Sequence, residues 1–163
     1  MNYEGQICRG PMERSSYMLP VAVGCSYNRC KFCTLFRHLK YRELPMEQIE
    51  AELERVRSLG GNPKHVFLGD GNAFGLATKR LLEITDLIHR YFPGCQAINM
   101  DGTITNIQAK SREELLALRK AGICHLYLGI ESGLDDVLRY MGKDHNLDQA
   151  YRQIDRIQSA GFI

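Results

Sequence analysis

The chain alternates short apolar runs with longer amphipathic ones, and this alternation constrains its fold more than any other feature. Strand-length apolar segments recur about every 30 to 45 residues with a helical period between them, the pattern of βαβ units that feed one parallel sheet. A first strand is predicted over about 18–23 and a helix from near Pro45, with Met46, Ile49, Leu53 and Val56 on one face and Gly60-Gly61 as its stop. A second strand covers 65–68, and the helix after it, about 78–91, buries Leu81, Ile84, Leu87 and Ile88 before Pro93-Gly94 ends it. A third, weaker strand covers 96–100. Ser111-Arg-Glu-Glu114 is a capping box, so a helix starts there and stops at Gly122. The fourth strand spans 125–130. It leads to a short helix with Leu134, Val137, Leu138 and Met141 in register, then to a last helix over about 148–160.

Residues 1–16 read as an irregular lead-in and 17–163 as one α/β domain. Ser159-Ala-Gly161 ends a helix, and Phe162-Ile163 reads as the first step of a fifth strand, so the domain is expected to be truncated on its C-terminal side. A parallel sheet that stops at its fourth unit leaves an apolar edge, and a homodimer covering that edge is the companion expectation. The apolar runs are far shorter than the roughly 20 residues a bilayer requires, which excludes a helical membrane span and, with no apolar signal segment, points to the cytoplasm. A net charge of +2 neither demands nor excludes nucleic acid, which is not otherwise indicated. The densest basic stretch, Arg37-His-Leu-Lys-Tyr-Arg42, reads as a solvated loop or as a contact to an anionic substrate or partner.

Cys25, Cys30 and Cys33 lie in the run Gly24-Cys-Ser-Tyr-Asn-Arg-Cys-Lys-Phe-Cys33, directly after the first strand and with no fourth local cysteine. Thiolate sulfur is the soft ligand that Fe–S clusters and zinc both select. Zinc is the competing reading, although structural zinc closes a tetrahedron of four ligands and no second Cys-x2-Cys clip is present. Cys8, Cys95 and Cys124 are scattered singly, and the five histidines form no His-x3-His pair. In a parallel βα array, residues just past each strand collect along one rim. Here that rim receives the cysteine loop, Gly69-Asp-Gly-Asn72, Asp101-Gly-Thr103 and Gly129-Ile-Glu-Ser-Gly133. Gly69, Asp70 and Gly71 allow close backbone approach to a ligand, with Asp70 or Asn72 orienting an ammonium or hydroxyl, or they form an ordinary turn. Glu131 suits ribose hydroxyls or simply precedes a helix, and Ser132 is a ligand contact or an N-cap. Phe32 and Tyr27 would shield a metal core from water or merely pack. Arg29 and Lys31 would offset its negative charge or be solvated.

The joint pattern, Cys25-x4-Cys30-x-Phe32-Cys33 after strand one, Gly69-Asp70-Gly71 after strand two and Gly129-Ile-Glu-Ser-Gly133 after strand four, resembles the radical S-adenosylmethionine (radical SAM) superfamily over about 17–163. Within it the chain is most similar to uncharacterised Fe–S oxidoreductases with a Gly-Cys-Ser-x-Asn-x-Cys-x-Phe-Cys loop. The resemblance implies a partial TIM-type (βα)n barrel, with about four parallel βα units here of about six. It implies that Cys25, Cys30 and Cys33 hold three irons of a [4Fe-4S] cluster and that the remaining iron takes S-adenosylmethionine. One electron, from a donor such as flavodoxin or ferredoxin, would then cleave the sulfonium to a 5′-deoxyadenosyl radical. Gly69, Asp70 and Gly71 would face the methionyl amino group, and Glu131, with Ser132, the ribose. The alternative is a non-catalytic Fe–S or zinc-binding domain used in assembly or electron transfer.

Overall fold

The computed structural model describes residue 4 and residues 6–163. Its strands are β1 (Tyr17–Pro20), β2 (Ala22–Val23), β3 (Arg42–Glu43), β4 (His65–Gly69), β5 (Ala97–Gly102) and β6 (Ile123–Leu128). The helices are α1 (Met46–Ser58), α2 (Thr78–Tyr91), α3 (Ile104–Gln108), α4 (Arg112–Lys120), α5 (Asp135–Met141) and α6 (Leu147–Ser159). β1, β4, β5 and β6 lie side by side in that order, all parallel, as the wall of a partial TIM-type barrel. No helix among the described residues is long and apolar enough to cross a membrane.

Several boundaries differ from those predicted, each for a local reason. The apolar run expected as one strand over 18–23 divides at Pro20, which has no N–H to continue a ladder. Beyond it Ala22–Val23 turns away to pair antiparallel with Arg42–Glu43. β5 extends to Gly102, so Asp101 lies within the strand rather than after it. β6 starts at Ile123 and ends at Leu128, which leaves Glu131 in the loop beyond. α3 was not expected. It forms because the Thr103 hydroxyl accepts the Asn106 N–H at 3.3 Å while the Asn106 side chain accepts the Thr103 N–H at 3.1 Å, a reciprocal cap that satisfies two otherwise orphaned donors. In α5 only Leu138 is buried, and Leu134, expected on the same face, is exposed at the N-cap position.

The two faces of the sheet differ in chemistry. Leu19, Val66, Leu68, Ile98, Met100, Ile123 and Leu126 are buried in one core with Ile49 and Leu53 of α1, Leu81, Ile84 and Ile88 of α2, and Leu115 and Leu118 of α4. Each such side chain contributes about 1.5–3 kcal/mol on burial, and this face fixes the strand register. At the sheet edge Ile163 donates its N–H to the Cys124 carbonyl at 3.0 Å and accepts the Leu126 N–H at 2.9 Å, the bond pattern of a parallel neighbour. Phe162-Ile163 thus begins to pair along β6 as its sequence suggested.

The inner face carries Phe67, Asn99, Asp101 and Tyr127, matched across the strands by register, with His125 hydrogen-bonded to Asn99. The lead-in is not free of this face. Its Pro11–Glu13 turn buries Glu13 to 3% exposure, where the carboxylate accepts from Asn99 Nδ2 at 2.7 Å, from Tyr127 Oη at 2.6 Å and from the Ser16 hydroxyl. Burial pushes the Glu13 carboxyl up, but the bonds from Ser16, Tyr127 and Asn99 outweigh it and hold it below the ordinary carboxylate value. Burial and the bond to Glu13 push the Tyr127 phenol up to about 12.

Glu13→Ala should therefore strand two buried donors and lower stability by about 2–4 kcal/mol at pH 7. A lowered carboxylate stabilises the fold above its unfolded value and loses that contribution as pH falls through its folded value, so the difference between the variant and the parent should shrink below about pH 4. Urea unfolding at both pH values measures this.

Candidate functional site

β1 and β4 are neighbours whose ends are in register, Pro20 opposite Gly69, so the loops that follow them must share space. The cysteine loop after β1 and β2 meets the Gly69-Asp-Gly-Asn72 turn after β4. Gly71 is at φ +45°, and a Cβ there would stand 2.3 Å from the Gly24 carbonyl oxygen and 2.6 Å from Cys25 Cα. Only glycine fits so close to another backbone. The Asp70 carboxylate accepts the Gly24 N–H at 3.4 Å, and the Asn72 side-chain oxygen accepts from the Ser26 N–H at 3.2 Å and the Ser26 hydroxyl at 2.9 Å. Asn72 Nδ2 donates to Asn106 at 2.9 Å. The sequence leaves Asn72 open as a ligand-orienting group or as part of an ordinary turn. Buried and committed to Ser26 and Asn106, it instead ties the cysteine loop to α3.

The far side of the loop is held by the turn after α5. Lys31 donates its N–H to the Met141 carbonyl at 2.8 Å, and the Tyr27 hydroxyl donates to the Gly142 carbonyl at 2.7 Å. Tyr27 thus has a structural partner rather than a purely shielding place. Asn28, at φ +47°, adopts the left-handed conformation that asparagine tolerates and donates to the Phe36 carbonyl at 2.9 Å. Between these clamps Cys25, Cys30 and Cys33 are unpaired and partly buried. Burial pushes the Cys30 thiol up, the Lys143 cation works against this, and the neighbouring Cys25 and Cys33 push it up again.

Among the described residues no three His, Cys, Asp or Glu side chains converge closely enough to hold one metal ion. A polynuclear cluster spreads its thiolates over separate irons and does not need such convergence. Three free thiols within mutual electrostatic reach, on a loop clamped at both sides, suit that donor chemistry.

Lys143 is the group the sequence did not single out. A lysine just after the helix-ending Gly142 reads as solvated, yet its side chain is only 7% exposed. Its ammonium lies 3.6 Å from the Glu131 carboxylate and 5.9 Å from the centre of the Phe32 ring. Glu131 is at φ +69°, which costs a non-glycine residue about 1–2 kcal/mol. The strand-to-loop turn allows it because Gly129 is bare: a Cβ there would lie 2.4 Å from Glu131 Oε1. Ser132 does not cap α5. Its hydroxyl accepts the Leu134 N–H at 3.2 Å. Phe32 stands 50% exposed beside Lys143.

Asp101 points to the same side from β5. Burial first, then the charges of Glu13 and Asp70, push its carboxyl up to about 7. Burial likewise pushes Asp70 up, against the N–H groups of Gly24 and Gly71. Burial first, then the charges of Asp101, Cys33 and Asp70, push the Cys8 thiol of the lead-in up. Cys95 is buried in the core, and Cys124 donates to the Gly122 carbonyl at 3.3 Å beside the edge strand, so neither joins the site. Thr103 serves as the cap of α3.

The chain is similar to known proteins in sequence and in fold. The profile of the radical SAM superfamily matches residues 19–163. The heme chaperone HemW of Bacillus subtilis (strain 168) is 25% identical over 140 residues, 85% of this chain and 36% of the relative. The threonylcarbamoyladenosine tRNA methylthiotransferase MtaB of Thermotoga maritima is 26% identical over 155 residues, 90% of this chain and 34% of the relative. The chain thus spans about a third of the length of these curated relatives. The cobalamin-dependent S-adenosylmethionine radical enzyme OxsB, solved with aqua-cobalamin and S-adenosylmethionine bound, superposes with a TM-score of 0.73 at 19% identity, covering 90% of this chain and 22% of that one. This last likeness is one of fold.

Two variants test the geometry. Gly71→Ala should force the cysteine loop and the β4 turn apart and cost about 2 kcal/mol or more in thermal unfolding. Asp101→Asn should do the opposite at high pH. A carboxyl whose folded value is raised keeps a proton that the unfolded chain has lost, so its burden on stability grows as pH rises from the ordinary carboxylate value to about 7. The variant should gain about 1–3 kcal/mol at pH 8 and nearly nothing at pH 4, measured by urea unfolding.

Proposed function

Because the chain belongs to the radical SAM superfamily, we propose that it binds a [4Fe-4S] cluster and S-adenosylmethionine on this rim and supports reductive cleavage of the sulfonium. The single observation that carries the reading is the junction itself: three free thiols, the Gly69-Asp70-Gly71 turn packed on Cys25, and the Lys143–Glu131 pair beside Cys30. Bound there, the pair of cofactors would supply a one-electron reductant and a 5′-deoxyadenosyl radical.

The chain's own groups have distinct tasks in this reading. Cys25, Cys30 and Cys33 supply three thiolates and leave one coordination position for a ligand. The backbone of Gly69, Asp70 and Gly71 faces the methionyl ammonium, with the Asp70 carboxylate as its counter-charge. Glu131 accepts from ribose hydroxyls, and Ser132, whose oxygen takes the Leu134 N–H, keeps its own proton to donate. Lys143 offers a desolvated ammonium to the methionyl carboxylate. A charge-assisted bond in such a place is stronger and more directional than an exposed one. Phe32, half exposed beside Lys143, would help to cover bound cofactors from water, which a reactive primary radical requires.

A one-electron donor of the flavodoxin or ferredoxin type belongs to the same reading, as does a cytoplasmic setting in which the thiols stay reduced. The two curated relatives serve different ends, one a heme chaperone and the other a tRNA methylthiotransferase. The reading therefore stops at cleavage of the sulfonium and names no substrate.

Anaerobic reconstitution followed by reduction tests this. About four irons per chain and release of 5′-deoxyadenosine are expected. Stoichiometric zinc without that product would defeat the reading. Lys143→Ala should retain its iron but bind S-adenosylmethionine about 10–100-fold more weakly by equilibrium dialysis.

A further inference from the structure

The basic stretch after the cysteines is largely exposed, yet two of its arginines have defined partners. Arg42 pairs with Glu4, and Lys31 within the loop lies over the Tyr140 ring at 5.1 Å. Arg37 turns back on the cysteine loop. Its Nε donates to the Cys33 carbonyl at 2.8 Å, and its Nη2 donates to the Cys30 carbonyl at 2.8 Å and the Lys31 carbonyl at 3.0 Å. The Cys30 carbonyl also accepts the Cys33 N–H at 3.2 Å, closing a tight turn. We propose that Arg37 is the positioning residue of this turn, gathering three carbonyls with one planar fork and so fixing the direction in which Cys30 and Cys33 present their sulfurs.

A turn this tight aims consecutive carbonyls at a common region, where they have no strand partner and repel one another. Backbone oxygens left without partners are costly, and water would satisfy them without fixing their directions. A guanidinium holds several donors in a rigid plane and can bond two residues at one end of the turn and one at the other. A lysine ammonium has the same charge but no fork, so it cannot span them. The contact is exposed, so its value lies in geometry rather than in global stability. Cys30 and Cys33 flank the two residues of the turn, and each backbone torsion that Arg37 fixes sets the direction of a thiol. The inference depends on the cluster reading for its second readout only.

Hydrogen exchange of the protein without cofactors, followed by anaerobic reconstitution and cluster release to a chelator, tests it on Arg37→Ala, Arg37→Lys and, as a control for charge in the same stretch, Arg42→Ala. Amides 30–37 should exchange about tenfold faster in both Arg37 variants, with β4 and α2 unchanged and Arg42→Ala like the parent. The chelator should strip the two Arg37 variants several-fold faster. Unchanged exchange, restoration by lysine, or faster exchange with unchanged cluster release would each overturn the proposal. Should Arg37→Ala not fold, Arg37→Lys decides alone. A parent protein that takes up no cluster, with exchange still accelerated in the variants, would defeat the proposed function while leaving the positioning of the loop in place.

Discussion

Among the described glycines Gly71 leaves the least room for a side chain, because its backbone lies against that of Gly24 and Cys25. Two adjacent parallel strands end level with each other, so the segments that follow are driven into the same volume. A side chain at position 71 would occupy the space of the Gly24 carbonyl, and the cysteine loop would have to sit elsewhere. With glycine there, Asp70 reaches the Gly24 N–H and Asn72 reaches Ser26, so the start of the loop is fixed by the turn after β4. The other flank is fixed by the turn after α5 through Tyr27 and Lys31. Segments far apart in sequence thus position three thiols on what would otherwise be a mobile loop.

The second organising feature is the difference between the two sheet faces. The outer face is apolar and packs under the helices, which supplies the stability. The inner face carries Asn99, Asp101, His125 and Tyr127, and its polar groups are not left bare: the lead-in folds Glu13 onto them. Asp101, however, remains a poorly solvated acid among other acids. Such a group near the end of a barrel strand is favourably placed to meet a cation and costs stability when none is present. Stability therefore comes from the outer face of the sheet, and the polar groups that cost stability lie on the inner one.

Much of this was legible from the residues. α2 runs from Thr78 to Tyr91 as its apolar period indicates, and the Ser111 capping box starts α4 where expected. Asp70 and Gly71 do meet the cysteine loop, at Gly24 and Cys25. The errors arose where a tertiary contact overrode a local signal. α3 rests on a Thr103–Asn106 cap with asparagine in place of the usual glutamate or glutamine. β5 continues through Asp101 because the inner face accepts polar residues. Lys143, Asn72 and Arg37 have no decisive sequence signal: a lysine after a helix carries none, an asparagine after Asp-Gly fits a turn or a ligand contact, an arginine in a basic run fits a solvated loop or an anion contact, and only their burial or their bonding partners decide.

The central claim is that a cluster held by Cys25, Cys30 and Cys33 would keep one position without a thiolate, free for S-adenosylmethionine. Mössbauer spectroscopy of the anaerobically reconstituted protein, before and after addition of S-adenosylmethionine, tests this most directly. The account predicts that one iron in about four changes its signal when S-adenosylmethionine binds, while the others keep theirs. Irons that all respond alike, or none that respond, would contradict it.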